Sequence, residues 1–374
     1  STLRYCTMLA ATNNAPWKRW GLLLVVLGGC QWLAAAIRSA SPPQGRLLLR
    51  ARQWHGTEHN STKAPEWEDG GTTPLSAATS RSGRVLLFWA VGSKPQVMAL
   101  VRGNVDRLRE EVSRQSELKM DVMLVHYDSN HSRWQESAND TAWYARNVQF
   151  SAEMPGYKMK LAELNLYRNN TEGVNVSSYE WLWFLDEDAD LSNVTLKELV
   201  AEARHSGSSI IGPAVLSPEV ALAESRANSR EELGCQPGTP QCLFAAPNRT
   251  CRYRHTNFVE VMFPLLTPGA FWAVMEGCAD CLHEHTVWGL DKIWCSLVAR
   301  MTNRSTDRVC AILDEVQVIH ANYKTLKKWI GLAIQANDST DVLSVNRVGE
   351  NQTRMQHRED YQTAPAVLRC EAKR

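Results

Sequence analysis

Apolar residues fall along this chain in short solid runs rather than in alternation, and stretches of helical period separate the runs. Arg84 to Gly92 reads Arg-Val-Leu-Leu-Phe-Trp-Ala-Val-Gly, the composition of a strand buried on both faces and closed by a glycine turn. In Gln96 to Gln115, Val97, Leu100, Val101, Val105, Leu108 and Val112 recur at helical spacing. Met120 to Tyr127 supplies a second apolar strand that ends at Asp128. Two strands joined by one helix make a βαβ unit, and its right-handed crossover brings both strand ends to one edge. Further on, the pattern predicts a short strand over 147–152 and a helical stretch from Tyr157 to Arg168. A buried strand over Trp181 to Leu185, a helix over Thr195 to His205 and a strand over Ser209 to Leu216 follow. Phe258 to Leu266 is apolar and β-like, and Pro268 to Glu276 starts a helix with proline in its first turn. Trp288-Gly289-Leu290-Asp291 then opens another helix, and a last strand lies within Val309 to Ala321, with His320 just past it. The class is α/β.

The run at Trp181 to Leu185 stops at Asp186, Glu187, Asp188 and Asp190, four acids within five residues. Ligands of open α/β sheets collect at the carboxyl ends of strands, so these carboxylates stand where a substrate or metal would sit. Asp186 and Asp188 are two apart, and in extended chain such residues point to one side. Two same-side carboxylates suit a hard divalent cation, Mg²⁺ or Mn²⁺, which can in turn hold a nucleotide diphosphate. The competing reading is an acidic loop that caps the strand and opens the next helix. Asp128 divides similarly, between a second site residue and a turn residue before Ser129 and Asn130. Lys158 and Lys160 either reach phosphates or form a solvated helix face. Asp291 is either part of the site or an acid favoured by the dipole at a helix start.

The charge balance, 41 basic against 40 acidic residues, leaves no electrostatic footprint for nucleic acid. Trp20 to Ile37 is an apolar run broken only by Gln31 and preceded by Lys18 and Arg19, and it is expected to act as a transmembrane signal anchor after a cytoplasmic tail of residues 1–19. Residues 38–83, rich in Ser, Thr, Pro, Gly and charge, read as a disordered stem. Asn-X-Ser/Thr sequons begin at Asn60, Asn130, Asn139, Asn169, Asn175, Asn193, Asn248, Asn303, Asn337 and Asn351. Chance predicts about two to three, so the excess places the chain after the anchor in the secretory lumen, as a single-pass type II protein of the Golgi or endoplasmic reticulum membrane. Eight cysteines lie beyond the anchor, enough for four disulfides in an oxidising compartment. Cys278, Cys281, His283 and His285 form an alternative zinc cluster, although the His-X-His spacing is tight. Residues 217–257 hold three cysteines without a strong period and read as a disulfide-pinned insertion over a cleft, and 327–374 as a peripheral tail.

Five segments recur in order in one known family: Val122 to Asp128, Trp183 to Asp188, Val259 to Met262 with Pro264, Trp288 to Asp291, and Asp314 to His320. Over about 84–326 the chain resembles the eukaryotic domain of unknown function 707 family, some plant members of which are named lysine-ketoglutarate reductase trans-splicing related. That layout is similar to GT-A glycosyltransferases, which implies a Rossmann-like, mixed, mostly parallel sheet flanked by helices. It also implies a metal-dependent transfer of sugar from a nucleotide-sugar donor to a glycan, protein or lipid acceptor. By position, Asp186, Asp188 and His320 would hold Mn²⁺ or Mg²⁺, Asp128, Asp186 and Glu187 would bind the nucleotide sugar, and Asp291 would be the catalytic general base. Two other classes stay open. One is a lumenal binding or scaffold protein without turnover, and the other a glycoside hydrolase working with Asp188 and Asp291.

Overall fold

The solid apolar runs become strands because both of their faces are covered. The computed structural model describes residues 83–373 apart from 116, 218–243, 283–285, 287, 322 and 324–341. The expected tail, anchor and nearly all of the stem lie outside the described residues, as do Cys235, Cys242, His283 and His285. Among the described residues no helix is long and apolar enough to cross a membrane.

Among the described residues ten strands form one sheet: β1 (Gly83–Val91), β2 (Leu118–His126), β3 (Phe150–Glu153), β4 (Trp181–Asp186), β5 (Ala189–Asp190), β6 (Ile210–Leu216), β7 (Cys251–Thr256), β8 (Leu265–Leu266), β9 (Cys310–His320) and β10 (Val367–Ala372). The helices are α1 (Pro95–Ser113), α2 (Ala138–Asn147), α3 (Lys158–Ala162, continued by a π-turn), α4 (Leu196–Ser206), α5 (Pro268–Gly277), α6 (Trp294–Met301) and α7 (Val342–Gln356). In β1, Val85, Leu87, Trp89 and Val91 face the side that holds Val97, Val101, Val105 and Leu108 of α1 and Leu199 of α4. Leu86, Phe88 and Ala90 face the other side, toward Met159 and Leu161 of α3, Phe271 and Val274 of α5 and Leu297 of α6. Each of these larger side chains contributes about 1.5–3 kcal/mol by leaving water. Two covered faces explain why alternation is absent.

The strand order is β10-β7-β9-β6-β8-β4-β1-β2-β3, with β5 paired to β9 off this path. Strands β1, β2, β3 and β4 run parallel, as do β6 and β9. The two-residue β8 runs antiparallel between β4 and β6, while β7 opposes both β9 and β10. The sheet is therefore mixed, and the carboxyl ends of β1, β2, β4, β6 and β9 share one edge.

Pro213 sits mid-sheet in β6, where it has no N–H for the ladder. The register steps there from Pro213 opposite Leu313 to Ala214 opposite Gln317, so β9 throws out Asp314, Glu315 and Val316 as a bulge. Arg254 of β7 closes the gap: its guanidinium donates to both oxygens of the fully buried Asp314, which also accepts from the Asn248 N–H at 2.7 Å.

Several elements differ from expectation. The apolar stretch Phe258 to Leu266 pairs only at Leu265–Leu266 and is otherwise a loop, because its side chains are apolar for burial and Pro264 has no donor for a ladder. Within the expected insertion, Cys251–Thr256 is a sheet strand. Its Arg252 and Arg254 hide the usual apolar run, and pairing with Glu202 and Asp314 makes their burial tolerable. The helix at 288 begins instead at Trp294, since Gly289 at φ 97° interrupts it and leaves Asp291 in a turn. In the stretch expected to be peripheral, β10 adds to the sheet edge, tied to β7 by the Cys251–Cys370 disulfide.

Replacing Asp314 with alanine strands the Arg254 charge in the core. We expect a loss of about 3–5 kcal/mol in equilibrium denaturant unfolding. A loss under about 1 kcal/mol would show that the bulge does not depend on this pair.

Candidate active site

The chain after β4 is held from behind by α1. Asn104 donates to the Ala189 carbonyl at 2.7 Å and accepts from the Leu191 N–H at 3.0 Å. Arg107 donates to the carbonyls of Leu191 and Val194. With the backbone fixed, position directs the four acids.

Asp186 ends β4 and pairs with Lys158 of α3, Nζ to Oδ1 at 2.8 Å. Lys158 also donates to the Met262 carbonyl and is buried. In this structure it is an internal counter-charge, so the solvated-face reading is corrected. Burial pushes the Asp186 carboxyl up, Lys158 opposes that, and repulsion from Asp188 adds to it. Burial likewise pulls the Lys158 ammonium down despite Asp186.

Asp188 faces the end of β9, where its Oδ2 lies 3.2 Å from His320 Nε2 and accepts from the Tyr323 N–H at 3.2 Å. Burial opposes charge on both partners, but their mutual attraction outweighs it: Asp188 is held below its ordinary value and His320 above. Antiparallel pairing of Ala189 with His320 and an edge-on contact from Phe263 at 5.8 Å hold the imidazole in place.

Glu187 turns the other way. Its carboxylate accepts from the Gly92 N–H at 2.6 Å and the Tyr127 hydroxyl at 2.7 Å, so it stitches together the ends of β1, β2 and β4. Asp190 accepts from the Ser192 N–H at 2.9 Å as a turn residue. Asp128 lies on the same edge, where one oxygen accepts from the Ser93 N–H at 2.7 Å. Its other oxygen is buried without a hydrogen-bond partner among the described residues.

Asp291 is buried in the turn before α6, and its carboxyl is raised well above the ordinary range by burial and by the nearby Glu260. Glu260 is itself pushed up to about 7, chiefly by burial, with Asp186 adding repulsion and Lys158 and His320 opposing. Glu260 thus links the strand-end acids to Asp291 electrostatically, and it is the acid at this edge that periodicity misses. Its one signal is that of a lone acid in an apolar run.

Asp188 and His320 form an ion pair whose length is also compatible with two neighbouring ligands of one cation. Neighbouring ligands of a six-coordinate ion with bonds of about 2.1 Å lie about 3.0 Å apart, close to the 3.2 Å between Asp188 and His320. Asp186 stands outside that pair, because Lys158 holds it. Among the described residues, the one group of three or more metal-ligating atoms within 4.8 Å of one another lies elsewhere, at Cys278, Asp280, Cys281 and His357.

A family model described as protein of unknown function (DUF707) matches residues 76–365. The chain belongs to this family. No curated protein matches this DUF707 chain. Among solved structures, S. aureus TarS is 12% identical over 72% of this chain and 41% of its own, with a TM-score of 0.37, so this chain spans about two fifths of its length. The TarS 1–349 fragment in complex with UDP-GlcNAc is 11% identical over 75% and 74%, at 0.35. The mannosyltransferase PcManGT from Pyrobaculum calidifontis, in complex with GDP-Man and Mn²⁺, is 11% identical over 76% and 73%, at 0.36. At such distance, the chemistry of the DUF707 chain has to be sought in its own side chains.

Glu260 yields a stability prediction with a definite sign. An acid whose pKa is raised on folding contributes stability below its unfolded value, and that contribution is lost as pH rises through the folded value, here about 7. Glu260→Gln should therefore stabilise the protein more at pH 8 than at pH 5, by on the order of 2 kcal/mol, read from thermal melts at both pH values. A gain independent of pH would refute the burial-driven shift.

Proposed function

We propose that this chain is a metal-dependent glycosyltransferase that moves a sugar from a nucleotide-sugar donor to an acceptor in the secretory lumen. The observation that carries the reading is the gathering of Asp128, Asp186, Asp188 and His320 on one strand-end edge, with Asp188 and His320 at ligand-to-ligand separation. Asp188 and His320 would hold Mn²⁺ or Mg²⁺, joined by Asp186 once its pairing with Lys158 is relaxed. A bound divalent ion would neutralise the charge that develops on the departing nucleoside diphosphate.

The chain's own groups supply the rest. Asp128, with one oxygen anchored on Ser93 and the other unpartnered, would accept a hydrogen bond from the nucleoside. Lys158, freed from Asp186, would lie beside the diphosphate as a fixed positive charge. Glu187 keeps the three strand ends in register and would border the donor from there. Asp291 is buried and Glu260 partly so; burial raises both carboxyls, and Glu260 adds repulsion at Asp291, so both lean toward the protonated form. Asp291 takes the acceptor hydroxyl proton when it is ionised. The ten sequons and the expected anchor at 20–37 support a membrane-tethered enzyme of the Golgi or endoplasmic reticulum, with glycan, protein or lipid as acceptor. A second reading, a lumenal scaffold without turnover, draws on the same Lys158–Asp186 pair, since an internal cation can satisfy the acid permanently.

Calorimetric titration with UDP and GDP, with and without Mn²⁺, separates the two. The transferase reading expects metal-dependent nucleotide binding that Asp188→Asn weakens at least about tenfold without altering the thermal midpoint by more than a few degrees. A folded protein that binds neither metal nor nucleotide belongs to the scaffold class.

A further inference from the structure

Three disulfides are formed among the described residues, and they are unlike in what they close. Cys251–Cys370 and Cys295–Cys310 span 119 and 15 positions, whereas Cys278–Cys281 spans 3. Stabilisation by a disulfide grows with the logarithm of the loop closed, so the last pair constrains the unfolded chain least. Its Cys-X-X-Cys spacing is that of redox-active pairs and of one half of many zinc sites.

The surroundings of this pair are metal-binding in character. Cys278 and Cys281 are buried at the end of α5 and in the short 3-10 turn Ala279–Cys281 that follows. His357, just past α7, brings its Nε2 to 4.0 Å from Cys278 Sγ and 3.2 Å from Asp280 Oδ1. Asp280 Oδ1 in turn lies 4.0 Å from Cys281 Sγ. All four ligand atoms fall within 4.8 Å of one another. Around a tetrahedral zinc, with bonds of about 2.3 Å to sulfur and about 2.0–2.1 Å to nitrogen or oxygen, the imidazole and carboxylate would be about 3.3 Å apart and each sulfur about 3.6 Å from them. The imidazole–carboxylate edge already has that length, two of the four sulfur edges, at 4.0 Å, need to close by only a few tenths of an ångström, and the other two lie within 4.8 Å. The two sulfurs must in addition separate, to about 3.8 Å. Asp280 is half exposed, which gives an ion a way in from solvent.

We propose that this corner is a redox-controlled zinc site whose ligands are Cys278, Cys281, His357 and Asp280. A two-electron reductant, a dithiol or a phosphine, breaks the S–S bond and is itself oxidised, to a disulfide or a phosphine oxide. The two sulfurs leave as thiols: the dithiol hands over both of its own protons, whereas with the phosphine one water supplies both protons and the oxygen of the oxide. Zn²⁺ then displaces both thiol protons to water and is held by two thiolates, one neutral imidazole and one carboxylate. The oxidised pair cannot bind, because bonded sulfurs offer no thiolate. The ligands come from the end of α5, the 3-10 turn and the chain just past α7, so the ion clasps the C-terminal helix to the body of the domain. This site stands apart from the strand-end acids and does not depend on the function assigned to them.

Cobalt reads the site directly. The full chain, untreated or treated with a phosphine reductant, is titrated with Co²⁺ and followed by visible absorption. The reduced protein should take up one Co²⁺ with the intense d–d bands of tetrahedral geometry and a thiolate-to-cobalt charge-transfer band, and Zn²⁺ should displace it. The untreated protein should show neither. His357→Ala, at a partly exposed position, should weaken Co²⁺ binding at least about tenfold, and Cys281→Ser should diminish the charge-transfer band. On adding Zn²⁺ to the reduced protein, amide exchange over Val342–Gln356 should slow. Reduced protein that binds no Co²⁺, or a spectrum indifferent to both substitutions, overturns the proposal, the second by placing the ion on thiols released from another disulfide.

Discussion

A carboxylate drawn out of water has to meet a cation or give up its charge, and β4 delivers the partly buried Asp186 and the buried Asp188 to one crowded edge. Lys158 answers the first and His320 the second. Much of the architecture can be read as the means of bringing those two cations there. Helix α3 presents Lys158 from beneath β4, packed in place by Met159 and Leu161. Strand β9 presents His320 from the far half of the sheet, and its path depends on the bulge opposite Pro213 and on the Arg254–Asp314 pair within that bulge. Helix α1, whose apolar face is core, uses Asn104 and Arg107 to keep the acidic loop from moving away.

The same charges give the acids of the candidate site opposite tendencies. Asp188 and His320 stabilise each other's ionised forms, while Asp186, Glu260 and Asp291 are all pushed toward neutrality by burial. Acids of opposite tendency within one cluster are a common arrangement where protons must be moved. Structural ion pairs also shift pKa values, so the arrangement identifies a place for chemistry rather than a reaction.

The sequence reveals this molecule most clearly where burial is two-sided. Runs such as Arg84 to Gly92 and Trp181 to Leu185 admit few other readings, and the acids at the end of β4 stand out because the apolar run stops there. Lys158 is illegible as a buried residue because it lies in a short helical segment beside Lys160 and polar neighbours. The flanking Tyr157 and Met159 are the only sign of its setting. Strand β7 is hidden because its burial is sustained by Arg252 and Arg254 with distant acids, and no local window contains Glu202 or Asp314. Glu187 and Asp188 are neighbours in sequence, yet one braces strand ends and the other meets an imidazole. Only the turn geometry after β4 separates them.

The two-residue strand β8 divides the sheet into an early half, with β1 to β4, and a late half, with β6, β7, β9 and β10. The order of synthesis follows from that division. As the chain leaves the ribosome, Lys158 is already made when Asp186 appears, so the first acid can be neutralised at once. Asp188 must wait about 130 residues for His320. For that interval the nascent protein carries an unmatched acid at the edge of a half-built sheet, and the centre becomes electrically complete only when β9 docks.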